Sequence, residues 1–198
     1  MVETITPVVH GGRNRRYWTS VILHVLAATA TAATFGALLG LIGGLLGAPW
    51  GNVGLVVVIV AAVAYAAREL IGAPIPVPDR RRQVPEWWRT FYSAPVAAML
   101  YGAGLGIGFL TFLTYGTYVA VVVGAFVSGE PVQGALITAA FGLARSVSVL
   151  ISARSVTGEL ASGVVDRLQD VAGTARPRTV NGVVLVGVAA GAVVMLLA

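Results

Sequence analysis

Residues 111 to 119 read TFLTYGTYV, a cluster of hydroxyl side chains within a stretch that carries no charge from Thr90 to Gly129. Thr111, Thr114 and Thr117, with Tyr115 and Tyr118, could line a cavity and hydrogen-bond a small solute, or they could bond back to carbonyls of their own helix. Arg145, in FGLARS (141 to 146), stands inside a second apolar run, where a guanidinium is costly unless it meets a partner, a carbonyl or water. It is expected to point inward, either as an anion or proton-path residue or as a structural arginine on helix carbonyls. His24 lies about two turns into the first apolar run and reads more readily as a hydrogen-bonded contact between helices. These six residues, Thr111, Thr114, Tyr115, Thr117, Arg145 and His24, form the candidate cavity.

Other chemistry is excluded by composition. The chain has no cysteine, so disulfides, thiol exchange and thiolate metal sites are absent. Its two histidines, His10 and His24, make no metal site by themselves, and no cofactor is expected. GAGLGIG (102 to 108) has the wrong spacing for a dinucleotide loop and follows no strand. Gly102 with Gly106, and Gly104 with Gly108, stand four apart instead, as Gly36, Gly40 and Gly44 do, and such spacing lets helices approach closely. The chain is not expected to be an enzyme.

The elements that must hold these residues are membrane helices. With 57% hydrophobic and 11% charged residues, 198 residues cannot clothe themselves in polar surface. The expected fold class is all-α, a polytopic membrane protein with five transmembrane helices. The first covers about 18 to 47 and the second about 53 to 70, joined by the turn GAPWGN (47 to 52). The third lies between Ser93 and Ser128, which is longer than a bilayer core of about 30 Å requires, and is expected to be broken at the threonine cluster. The fourth covers about Val132 to Ala153 and the fifth about Val180 to the end. Between the last two, SVTGELASGVVDRLQDVAG (155 to 173) sets Val156, Leu160, Val164, Leu168 and Val171 opposite Glu159, Asp166 and Asp170, the pattern of an interfacial amphipathic helix. Residues 1 to 16 are read as a flexible cytoplasmic tail and 17 to 198 as one membrane domain.

Charge supplies the orientation. There is no lysine, and every arginine but Arg145 falls before the first span, between the second and third, or between the fourth and fifth, whereas the opposite connections contribute Glu130. The positive-inside rule then puts the N-terminus in the cytoplasm and the C-terminus outside the inner (cytoplasmic) membrane. Tyr17, Trp18, Trp87, Trp88 and Tyr92 would form an aromatic belt on the cytoplasmic side. DRRRQ (79 to 83) fits an orienting, lipid-attracting cluster, so the lipid bilayer is the expected partner and nucleic acid is not. APIPVPD (73 to 79) reads as an extended linker.

From about His24 onward the chain resembles the CcdA and DsbD transmembrane family of thiol-disulfide electron carriers in cytochrome c biogenesis. That family has a Trp-Thr-Pro-Cys-x-Gly-Pro helix break and a later Tyr-Gly-Leu-Gly-Leu-type motif. Gly116 takes the place of the motif glycine, Thr114 that of the cysteine, Leu113 and Thr117 those of the prolines, while Phe141, Gly142 and Leu143 match the later motif. The resemblance implies inverted three-helix repeats with the first helix missing, which agrees with the arginine-derived topology. It also implies a site that has lost its redox cysteines and so cannot exchange thiols. On that basis the expected function is a small-solute transporter or permease-like protein with an unknown solute bound near Arg145. The alternative is a non-catalytic membrane scaffold or partner subunit, as a homodimer or with another membrane protein.

Overall fold

The computed structural model describes residues 5–77, 87–108, 115–154 and 157–198. Among these every regular element is a helix, without a strand. A short 3-10 turn, Val8–His10, precedes α1 (Arg15–Leu45), α2 (Asn52–Ile71), α3 (Trp88–Phe91), α4 (Ala94–Ile107), α5 (Thr117–Val127) and α6 (Pro131–Ser146). α6 continues as a 3-10 segment to Arg154, and α7 (Gly158–Gly173) and α8 (Arg176–Leu197) complete the chain.

Four of these are long and apolar enough to cross a membrane: Arg15–Leu45, Asn52–Ile71, Pro131–Ala153 and Arg176–Leu197. They coincide with the first, second, fourth and fifth expected spans to within a few residues. The third expected span is represented by two shorter apolar helices, α4 and α5. Between them, Thr111 and Thr114 lie outside the described residues. The DRRRQ cluster also lies outside them, whereas 73–77 is non-helical.

Local chemistry explains where the helices begin and end. The side chain of Asn14 accepts the Tyr17 N–H at 2.9 Å and starts α1. Glu130 does the same for Gln133 at 2.8 Å, and Pro131 occupies the first turn of α6, where its missing N–H costs nothing. Gly72 closes α2 at φ +73°, a left-handed backbone that glycine adopts without strain.

Packing is inverted relative to a soluble bundle. On α1 the buried positions are small or polar, namely Ser20, His24, Ala28, Ala32, Gly36, Gly40 and Gly43. The outward face carries Ile22, Leu26, Leu38, Leu41 and Leu45. Small residues permit close backbone contact, and the large apolar ones suit a lipid surround. A Cβ on Gly36 would strike Thr138 and Gly134 of α6, and one on Gly102 or Gly106 of α4 would strike the backbone of His24 or Ala28. Gly36, Gly40 and Gly44, and Gly102 and Gly106, therefore serve as the contact faces their spacing suggested. Gly108 does not: it ends α4 at φ +78°, with the Tyr118 ring where a Cβ would stand.

α1 packs against α4, α5 and α6, while α2 packs against α8 and α5, so that α5 belongs to both groups. Ala62, Ala66, Ala120, Leu185 and Ala189 form the α2–α5–α8 core. The segment expected to be a mobile tail contributes to the other core: Ile5 packs with Tyr17, Val21, Ala98 and Val149. The Ser152 hydroxyl donates to the Ile5 carbonyl at 3.0 Å, and His10 is buried between Thr6 and Ser20.

Candidate functional site

The C-terminal end of α4 and the N-terminal end of α5 each meet a charged residue from a neighbouring helix. At the α4 end, backbone carbonyls lack helical partners and carry the negative pole of the helix. Arg145 of α6 donates from Nη1 to the Leu105 carbonyl at 3.3 Å. Its guanidinium lies 5.5 Å from the centre of the Phe141 ring, one helical turn earlier. The Tyr118 hydroxyl donates to the Ile107 carbonyl at 2.7 Å, and the Tyr118 and Phe141 rings meet at 5.6 Å. A cation and a phenol thus serve the carbonyls of one helix end.

At the α5 end the polarity is reversed. The backbone N–H of Gly116 donates to Glu69 Oε1 at 3.1 Å, so a carboxylate from α2 sits at the positive pole of α5. Arg68 Nη1 reaches the same oxygen at 2.6 Å. The side chain of Glu69 is 1% exposed, against 26% for Arg68. Glu69 Oε2 is buried and has no hydrogen-bond partner among the described residues. One position further on, the Thr117 hydroxyl donates to Asn181 Oδ1 of α8 at 2.6 Å, and Asn181 in turn donates to the Pro177 carbonyl at 2.7 Å. A Cβ on Gly116 would collide with the Tyr65 ring, so glycine is what lets α5 start against α2.

The expected site residues are therefore spread over several contacts. Arg145 joins α6 to α4, and Thr117 joins α5 to α8. Tyr115 is half-buried just before Gly116. His24 is buried higher along α1, where its Nδ1 donates to the Ala98 carbonyl of α4 at 3.1 Å, a helix-to-helix bond remote from Glu69 in the chain. Thr31 and Thr138 act similarly, donating to the Ala103 and Ala32 carbonyls at 3.0 and 2.7 Å. Sequence reasoning missed Glu69. Glu69 falls within the second expected span, where Leu70 and Ile71 continue the apolar pattern past it and mark it as internal. Among the described residues no group of three or more His, Cys, Asp or Glu could hold a metal ion.

Comparison with known proteins changes the family reading. No known family profile matches the chain, and no solved structure matches it. The chain is similar to the methylamine utilization protein MauF of Paracoccus versutus, with 30% identity over 100% of this chain and 71% of that protein. It is also 30% identical to MauF of Paracoccus denitrificans, over 84% of this chain and 58% of that protein. The MauF protein of Methylorubrum extorquens shows 30% identity over 69% of this chain and 48% of its own length. These relatives overturn the assignment to the CcdA and DsbD carriers, and with it the cytochrome c biogenesis and transport expectations built upon it. The physical reason is visible in the matched residues. Gly116 and Gly142, which carried the resemblance, are contact glycines against Tyr65 and Ala32, and contact glycines recur wherever membrane helices pack. The discriminating cysteines and prolines are absent from this chain.

Proposed function

We propose, because this chain belongs to the family of the methylamine utilization protein MauF, that it is a non-catalytic membrane subunit that assists a partner protein in methylamine utilization. The relationship over the whole chain is the observation that carries this reading. It is supported by the use made of the intramembrane polar groups: Arg145, Thr31, Thr138, His24 and Thr117 are each engaged in joining one helix to another. A scaffold needs such joints, and they keep its polar groups satisfied in a medium without water.

In this reading α4 and α5 together make one crossing interrupted between them, giving five crossings in all. The N-terminus is cytoplasmic, the C-terminus lies outside the cytoplasmic membrane, and α7 lies in the cytoplasmic interface with Leu160 and Val171 towards lipid. The arginine distribution supports that orientation.

The test is complementation together with co-isolation. In a methylamine-using bacterium lacking its own MauF, expression of this chain restores growth on methylamine, and mild-detergent purification of the tagged chain recovers a second membrane or envelope protein stoichiometrically. Failure of both, with the chain present and folded in the membrane, sinks the proposal.

A further inference from the structure

The carboxylate of Glu69 is used asymmetrically. Oε1 takes two donors, the Gly116 N–H at 3.1 Å and Arg68 Nη1 at 2.6 Å, while Oε2 is buried and takes none among the described residues. A buried acceptor left without a donor marks a missing partner. The pairing with Arg68 is itself unusual, because successive residues on a helix do not face one another. Arg68 reaches its neighbour from Nη1 and donates from Nε to the Ile75 carbonyl at 2.8 Å beyond the helix end. Arg68 is a quarter exposed, whereas Glu69 is enclosed.

We propose that Glu69 is a binding site for a compact organic cation of the primary-ammonium class, in which Arg68 is the resting counterion and the ligand exchanges with it. The chemistry sets each limit on the ligand. A carboxylate oxygen accepts only, so the ligand must donate hydrogen bonds, and an anion is repelled. Charge exclusion of a second buried cation beside Arg68 requires that the ligand replace the guanidinium rather than join it. The vacated guanidinium volume then fixes the upper size. An ammonium with three N–H donors can serve both carboxylate oxygens, which Arg68 Nη1, spent on Oε1, does not. Tyr65 closes the site at Gly116, where even a methyl group has no room. The N–H of Gly116 remains on Oε1 throughout and keeps the carboxylate in place. This inference concerns the site alone, so its failure leaves the accessory role in methylamine utilization standing.

The experiment is titration calorimetry of the purified full-length chain in nanodiscs of zwitterionic lipid. Methylammonium is the probe, tetramethylammonium the control without N–H donors, and a helical circular-dichroism spectrum the requirement for every variant. Wild type is expected to show saturable methylammonium binding that tetramethylammonium does not compete. Glu69→Gln keeps a carbonyl for Gly116 but removes the charge, and is expected to weaken binding at least tenfold. Arg68→Gln removes the resting counterion and is expected to tighten it. Absence of saturable binding to folded wild type overturns the proposal, and that is also the result if only an ordered water satisfies Oε2. Equal binding by wild type and Glu69→Gln overturns it as well. If Arg68→Gln fails to fold, competition between methylammonium and guanidinium on wild type serves instead: mutual exclusion is required, and independent binding refutes the exchange.

Discussion

Arg145 acts at the residue scale as a substitute for the hydrogen-bond donors that the last turn of α4 lacks. Its bond to the Leu105 carbonyl is long, at 3.3 Å, and the Phe141 ring beneath the guanidinium supplements it. Charged hydrogen bonds of this kind contribute about 1.5–3 kcal/mol. Arg145→Ala is expected to destabilise the protein by about 2 kcal/mol in detergent unfolding, with Arg145→Lys recovering part of the loss. An unchanged unfolding midpoint for Arg145→Ala would show that the guanidinium contributes nothing at that helix end. Thr138 offers a milder case, since its hydroxyl donates to the Ala32 carbonyl at 2.7 Å across the α1–α6 contact. Thr138→Val keeps the shape and removes the bond, for an expected loss of about 1 kcal/mol by the same measurement.

Glycine position governs behaviour at the scale of elements. α1 and α6 approach until Gly36 and Gly134 touch each other's backbone, and Gly40 and Gly44 meet the chain at Glu130 and Gly129. Nothing stands within 4 Å of a Cβ placed on Gly187 or Gly191 of α8. Equivalent substitutions should therefore differ sharply. Gly36→Val must push two helices apart and is expected to cost about 1–3 kcal/mol or more, as overpacking does. Gly187→Val enters open space on an exposed face of α8 and is expected to leave stability within about 0.5 kcal/mol of wild type, or to raise it slightly through helix propensity. Parallel thermal unfolding of the two variants measures the contrast, and equal losses would mean that the α1–α6 seam is not the close contact described. The α2–α5–α8 group adds alanine to its contact glycines, with Ala62, Ala66, Ala120 and Ala189 around Leu185.

For the whole molecule, the arrangement of charge predicts topology. The chain has no cysteine, so single cysteines can be introduced into an otherwise unreactive background. Gly11→Cys in the N-terminal segment should resist an impermeant maleimide applied to intact cells and react after the inner membrane is opened. A cysteine added after Ala198 should react in cells whose outer barrier alone is permeabilised. The opposite pattern would invert the proposed orientation, and labelling of both from one side would require an even number of crossings.

Composition alone determined that the described residues include helices long and apolar enough to span a membrane, because long uncharged apolar runs suit no other element of that length. The limits of four long helices were legible too, since Pro, Gly and Asn stop or start helices through local backbone chemistry. The glycine spacings on α1 and α4 foretold contact faces for a similarly local reason. Tertiary structure alone decided which helix meets which, and so what each isolated polar residue does. Glu69 drew no reading from the sequence, and its partner is set only where α5 brings the Gly116 N–H to its carboxylate. Ile5 and His10 looked like tail residues until α1, α4 and the segment after α6 enclosed them. The partner of Thr117 likewise became visible only where α8 presents Asn181. A hydrogen bond between residues far apart in the chain leaves no periodicity behind it, so neither spacing nor composition could have named those partners.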